Sequence, residues 1–559
     1  MGTKDMGSHI VQSDGRDKGK NTKTIFGRSS FITWFLAVLY AAFSLIGYSF
    51  SKGGSLRFVT EAPVRSLFLF LLLTVLFNLG ITFIYDQALK AQYSGRKEKK
   101  KILPEVLDRH FLPFSAAMIF LCWLPYLIVF YPGSIPFDGY YQIDMGTGVL
   151  GLADNHPVYL SFFYGFLVNI GRRINDNFGA FLVVLVCAVI AAFCYGALLR
   201  FLRRHKAPVW LQIGTFLLFT VMPLFGAYAQ AIVKDTIYCP LFTLFLVNYA
   251  ECCMNEKKGQ DNKALIRDLV KCAVLGILVC LTRRNGFILV AALTLVLIFY
   301  VNRGRRWYVL VMLLVISAVF LGSGQFASKV LKVRSSGARV ILSIPFQQTA
   351  RYLKEYPDDV TEEEKAAIDG VLNYPVLAGK YNPEVSDPVK NTYKKTGNAA
   401  LKRYLKAWLS MGMRHPLVYF ESFFHNSYGY YYPLGRYDVL GPFQFYISNK
   451  SVDTGEFDFH YIYPAAVRKK LISYAQAWRD IPVLKLFVNP GIYTWILLLS
   501  LGFLIYRRKW RDSLFLLCLL LQVAICIASP ANGQIRYAMP LVAVTPLILY
   551  WGFFKERDE

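Results

Sequence analysis

The sequence predicts an all-α polytopic membrane protein with about twelve transmembrane helices and one large, mainly helical insert. Three observations predict it. The 559-residue chain is 55% hydrophobic and only 18% charged, against about 25% charged residues in an ordinary soluble domain. Its apolar residues fall in long blocks, and a helix of ~20 apolar residues crosses the ~30 Å of bilayer hydrocarbon. The blocks do not alternate apolar with polar residues, as strands of a transmembrane barrel would. A spanning backbone must satisfy its own hydrogen bonds, so helices remain.

Residues 1–30 are polar and basic, without a signal-peptide cleavage pattern, and read as a disordered cytoplasmic tail. The transmembrane region 31–324 follows, with spans expected near 31–50, 66–85 and 111–130. The basic run Arg96–Lys101 belongs to a cytoplasmic loop. An outer loop at 131–178 contains a short apolar stretch, 157–171, which suits a re-entrant or interfacial helix. Further spans are expected near 179–201, 208–228, 237–252, 268–282, 286–302 and 306–324.

Residues 325–486 differ in composition: polar, mixed in charge and rich in helix punctuation. Thr361 and Glu364 have capping-box spacing. Asp387-Pro388 reads as an N-cap followed by proline at the first helical position. Helical periodicity runs through 396–424. This segment is expected to be an extracytoplasmic soluble domain. The C-terminal region 487–559 supplies the last spans, near 488–506, 512–529 and 537–554, and a short cytoplasmic tail.

The net charge of +26 has its explanation in these loops rather than in nucleic acid. Roughly 31 Lys and Arg fall in the expected cytoplasmic segments, against roughly 9 in the short outer loops, which places both termini inside. Basic loops also suit anionic membrane lipids. The ten cysteines lie in or beside spans and the insert has none, so it is no disulfide scaffold. No cysteine spacing suits zinc. The two halves show no internal repeat of the kind expected of many transporters.

Unusual polar residues gather at the outer ends of the spans. They are Asp138 and Asp144 in the first large loop, His156 before the short helix, Lys234-Asp235, Arg283-Arg284-Asn285, and Arg536-Tyr537 at the last outer turn. Gln347, Gln348 and Arg351 lie early in the insert. Each has a plain structural account. Asp138 suits a turn or cap, His156-Pro157 suits a helix start, and Lys234 and the arginines suit snorkelling to lipid headgroups. The tyrosine-rich run Tyr428–Pro433 suits an interfacial aromatic belt. As a set they suit chemistry: ionisable groups at membrane depth are functional candidates, cations hold phosphate, and a carboxylate beside them serves as a general base.

The outer Asp138, the Asp154-Asn155-His156-Pro157 segment and the Arg536-Tyr537-x-x-Pro540 turn resemble the GT-C superfamily of integral-membrane glycosyltransferases. More narrowly, Lys234-Asp235, Arg283–Gly286, Ile344–Gln348 with Arg351, and Ser386–Lys390 resemble a bacterial family of membrane proteins, DUF6020. The resemblance covers most of residues 113–550. It implies a bacterial plasma-membrane enzyme that takes a sugar from a polyprenyl-phosphate donor and passes it to a cell-envelope glycan or lipid acceptor outside the cytoplasm. Asp138 is then the catalytic acid. GT-C enzymes often carry a second acid beside it; here Gly139 follows, and Asp144 is the other acid available. His156, Lys234, Asp235, Arg283, Arg284, Asn285, Gln347, Gln348, Arg351, Arg536 and Tyr537 are then the substrate-binding residues. Metal dependence varies across that superfamily; no ligand cluster is evident, and a divalent cation is compatible. The rival expectations are a transporter or flippase of a lipid-linked glycan, and a non-catalytic envelope scaffold.

Overall fold

The computed structural model describes residues 30–93, 109–335, 337–339, 341–435, 444–448 and 456–555. The expected tail at 1–30 (save Ser30), the basic run Arg96–Lys101 and the C-terminal tail after Lys555 lie outside them. Among the described residues the chain is mainly helical, with four isolated β-bridges and no extended strand.

The first helices are α1 (Phe31–Gly53), α2 (Pro63–Tyr93), α3 (Phe111–Val129), α4 (Phe137–Thr147), α5 (Val158–Gly171) and α6 (Asp176–Arg204). Then come α7 (Val209–Thr220), α8 (Pro223–Ala229), α9 (Lys234–Lys257), α10 (Asn262–Thr282), α11 (Gly286–Leu297) and α12 (Arg306–Lys329). The insert carries α13 (Ser343–Glu355), α14 (Glu362–Asp369), α15 (Asn398–Arg414), α16 (Pro416–His425) and α17 (Ala465–Asp480). The chain closes with α18 (Pro490–Tyr506), α19 (Trp510–Ile527) and α20 (Ile535–Leu549).

Eight of these segments are long and apolar enough to cross a membrane: α1, α2, α3, α6, α9, α12, α19 and α20 with its terminal turn. Four of the twelve expected spans fall short of that. The 208–228 span is broken into α7 and α8, which bend by 44° at Val221-Met222 ahead of Pro223. α10 carries Arg267, Asp268 and Lys271 in its first half. α11 has 12 residues and α18 has 17.

α6, α9 and α20 form the buried centre, where Tyr195, Phe242, Phe245, Val542 and Leu547 are sealed from solvent. α2 and α12 sit at the periphery and turn Leu67, Phe68, Leu71, Leu310 and Leu314 outward. Those apolar faces need hydrocarbon around them, which agrees with a multi-pass membrane protein. α5 is short, as expected, and packs inward through Tyr164 and Val168.

The insert has its own core, built on Phe346, Tyr352, Leu372, Tyr404 and Met411. Thr361 and Glu364 close the expected capping box. The 396–424 periodicity resolves into α15 and α16, broken at His415-Pro416. Near Asp387 the cap is Ser386, one residue earlier than expected, and the helix is a single turn. The tyrosine run is not an interfacial belt. Tyr428, Tyr430, Tyr431 and Tyr432 are buried, and two of their backbone carbonyls accept hydrogen bonds from α18: Thr494 Oγ1 to Tyr430 at 2.6 Å and Trp495 Nε1 to Tyr431 at 2.8 Å. The reason is local: Gly491 and Gly47 leave room for Tyr432 to press directly on α18 and α1.

Candidate functional site

Backbone pairing sets the geometry. Ser134 N donates to the Gln230 carbonyl at 2.9 Å, and Ile232 N donates to the Ser134 carbonyl at 2.9 Å. This seats the start of α4 beside the start of α9. The approach is close enough that a Cβ on Gly139 would lie 1.9 Å from the Ile232 carbonyl oxygen. A side chain does not fit there, which explains why Asp138 is followed by glycine and not by a second acid. Gly146 and Gly165 likewise bring α4 and α5 into backbone contact.

Asp138 and Asp235 stand in the first turns of α4 and α9, where the positive end of the helix dipole favours carboxylates. Arg536, in the first turn of α20, joins them. Its Nη2 donates to Asp138 Oδ2 at 2.8 Å and its Nε to Asp235 Oδ2 at 2.6 Å. The other oxygen of Asp235 accepts from Arg283 Nη1 at 2.9 Å. Arg283 caps the C-terminal end of α10, and its guanidinium lies over the rings of Tyr238 and Tyr537, 5.3 and 5.8 Å from their centroids. A chain of alternating charge thus runs from Arg283 through Asp235 and Arg536 to Asp138. Asp138 is its most exposed member: the Asp235 side chain is 1% exposed and the Asp138 side chain 30%. The Asp138 carboxylate is its accessible end.

Burial alone would raise the Asp138 carboxyl. The charges of Arg536, Lys234 and His156 outweigh that and hold it well below the usual carboxylate range. His156 is pushed down to about 4, first by its burial and then by the charge of Lys234, so it is neutral at pH 7. Its ring lies 5.4 Å from that of Tyr141, and its Nδ1 is buried without a hydrogen-bond partner among the described residues. Lys234 forms no ion pair or hydrogen bond among the described residues, although Asp138 feels its charge.

Asp138, His156, Lys234, Asp235, Arg283, Arg536 and Tyr537 therefore share one site. Arg284 stands at its edge, largely exposed, and pairs with Asp154 at 3.1 Å. Asn285 is exposed at the same turn. The insert residues do not join it. Gln347 Nε2 donates to the Asn382 carbonyl, and Gln348 bridges Tyr419 and Trp408. Arg351 pairs with Glu421 and Glu355. Their hydrogen bonds and ion pairs stay inside the insert, and Gln347 Oε1 is buried without a hydrogen-bond partner among the described residues. Among the described residues no group of three or more His, Cys, Asp or Glu side chains is placed to hold a metal ion.

Asp144 is also elsewhere. It is fully buried, its two oxygens have no hydrogen-bond partner among the described residues, and its charged neighbour is Glu456. Six residues along a helix rotate it ~240° away from Asp138. Burial first, and the Glu456 charge second, push it up to about 6. A carboxyl raised in the fold stabilises below its unfolded value near 4, and that contribution disappears as pH rises through about 6. Asp144→Asn is therefore expected to be more stable than the wild type at pH 7–8 and no more stable at pH 4. The gain is on the order of 1–3 kcal/mol, at ~1.4 kcal/mol per tenfold change in proton affinity. Thermal unfolding in detergent at the two pH values measures it.

One positioning residue escaped the sequence reading. Glu384, in the insert, takes the Asn532 side chain at 2.7 Å on its carboxylate and the Asn532 N–H at 2.9 Å on its carbonyl. Ser386 N donates to the Pro530 carbonyl at 2.7 Å. The insert thus holds the turn that presents Arg536. A lone glutamate in a polar segment carries no pattern that would have revealed this.

No curated protein and no solved structure matches the chain. A family model, described as a family of unknown function (DUF6020), matches residues 147–559. The match includes Lys234, Asp235, Arg283 and Arg536 and begins after Asp138 and Asp144. Covering well over half of the sequence, it shows that the chain belongs to the DUF6020 family.

Proposed function

We propose that this chain is a membrane glycosyltransferase of GT-C type, moving a sugar from a polyprenyl-phosphate donor to an extracytoplasmic cell-envelope acceptor. In this reading the protein sits in a bacterial plasma membrane with both termini cytoplasmic. Twelve crossings, counting the short and broken helices, put the insert outside.

The observation that carries the reading is a charge imbalance. The site holds three cations, Lys234, Arg283 and Arg536, and two carboxylates, Asp138 and Asp235. The surplus cation is Lys234, which has no partner among the described residues. An anion completes the site, and a phosphate at the accessible end meets Lys234 and Arg536 together.

The chemistry follows. The acceptor hydroxyl oxygen attacks the anomeric carbon as the bond from that carbon to the phosphate oxygen breaks. The phosphate leaves with the electron pair, held by Lys234 and Arg536. Asp138 takes the hydroxyl proton. Before phosphate binds, Arg536 keeps Asp138 a weak base. Phosphate drawing on Arg536 frees the carboxylate when it is needed.

The test is transfer of labelled sugar by the purified protein across a panel of polyprenyl-phosphate sugars, with Lys234→Met alongside the wild type. Transfer by the wild type, and a loss in the variant of about 10²–10³-fold, the cost of removing one such electrostatic donor, is expected. Movement of labelled lipid across the bilayer with no transfer from any donor would replace this reading by a flippase.

A further inference from the structure

A second surface stands apart from the charged site. The outer ends of α3 and α6 leave a cleft of ≈ 320 Å³ lined by Phe120, Leu124, Leu127, Ile128, Phe181 and Leu185. That lies within the roughly 300–1,000 Å³ of ligand pockets, and the lining is mainly apolar. Its upper rim is a strap from the insert, residues 460–463. Asn177 fixes one end of the strap by two hydrogen bonds to the His460 backbone, at 3.0 and 3.1 Å, and Ile462 N reaches the Tyr131 carbonyl at 3.4 Å. The aromatic rim is Tyr131, Tyr463 and Phe181, with the first and last rings 4.9 Å apart.

The strap runs into α17, whose first two turns carry Arg468, Lys469 and Lys470. Arg468 is held at the rim: its guanidinium lies 4.1 Å over the Tyr461 ring and donates to the Tyr463 carbonyl. None of the three cations has an ion-pair partner among the described residues. α17 is fixed to the bundle by Leu471 and Ile472, beside Tyr126 and Phe130. It leaves Val467 and Tyr474 exposed, and Ile462 is 62% exposed. Cations beside exposed apolar residues suit the headgroup layer.

We propose that this cleft and the start of α17 form a site for one anionic glycerophospholipid of the insert-side leaflet. An acyl chain fills the cleft between α3 and α6. The phosphodiester lies against Arg468, Lys469 and Lys470. The aromatic rim takes the glycerol level, where tyrosines are favoured. A zwitterionic lipid offers the same chain and no net charge, so the cations select the anionic headgroup.

The experiment is native mass spectrometry of the full chain in detergent containing equal amounts of phosphatidylglycerol and phosphatidylcholine. The wild type is expected to retain one phosphatidylglycerol with about tenfold preference, a size consistent with several cations near a lipid surface. Lys469→Glu with Lys470→Glu, both exposed positions, is expected to abolish the preference while leaving the thermal midpoint unchanged. Leu124→Trp fills the cleft and is expected to reduce retention of both lipids. Equal retention of the two lipids by the wild type, or a preference that survives the glutamate pair, would overturn the headgroup site. Unchanged retention in Leu124→Trp would overturn the placement of the chain.

Discussion

Replacing Arg536 by alanine is expected to cost about 3–5 kcal/mol of stability, the range for breaking a buried ion pair by removing one partner. Arg536 contacts two carboxylates at once, and Asp235 is almost completely sealed. Without the guanidinium, Asp235 keeps Arg283 alone and Asp138 loses its direct partner. Arg536 also sits at the N-terminal end of α20, where the helix dipole disfavours a cation. The two carboxylates offset that cost. Arg536→Lys is the informative companion. It keeps the charge but lacks the planar fork that reaches both carboxylates, so it is expected to recover part of the loss. The measurement is the thermal midpoint in detergent. Equal midpoints for Arg536→Ala and the wild type would mean that the bridge does not form.

The same network limits acid sensitivity. A carboxyl depressed in the fold contributes stability that is complete above its unfolded value near 4 and is lost as pH falls through the lower folded value. The Asp138–Arg536 pair therefore survives mild acid. His156 behaves differently. Its folded value near 4 lies below the ordinary 6.5, so stability is lost as pH falls from about 6.5 to about 4.

Much of this molecule is legible in its sequence because membranes simplify the code. Long apolar blocks mark eight helices fit to span a membrane, and the ionisable residues at helix ends include a connected charge network. Asp138, Lys234, Asp235, Arg283 and Arg536 come from four separated segments, yet they meet. Each is costly to bury alone, so convergence is the cheapest arrangement for all of them. The insert residues stand outside that network. Gln347, Gln348 and Arg351 are buried within the insert, where Asn382, Trp408, Tyr419 and Glu421 are their partners. The tyrosine run misled because aromatic composition is the same for a belt and a core. Span counts are least legible where helices are short, as in α11, or broken, as between α7 and α8. Gly139 is the converse case. It looked like a missing acid, and the structure makes it a contact that excludes any side chain.

Asp138→Asn is expected to lower the transfer rate by about 10²–10⁴-fold, the usual contribution of a general base, while donor binding persists. The variant should fold, because Arg536 keeps its shorter bond to Asp235. Lys234 and Arg536 also remain to hold phosphate. The wild-type pH profiles carry a sharper test. In the free protein Asp138 is depressed by Arg536, so the acid limb of kcat/KM lies below the ordinary carboxylate range. In the donor complex the phosphate shares Arg536 and adds a negative charge nearby. Both effects raise the carboxyl. The acid limb of kcat is therefore expected at higher pH than that of kcat/KM. Coincident limbs would mean that Arg536 stays with Asp138 through the reaction, and a base so firmly paired would be the wrong group to take the proton.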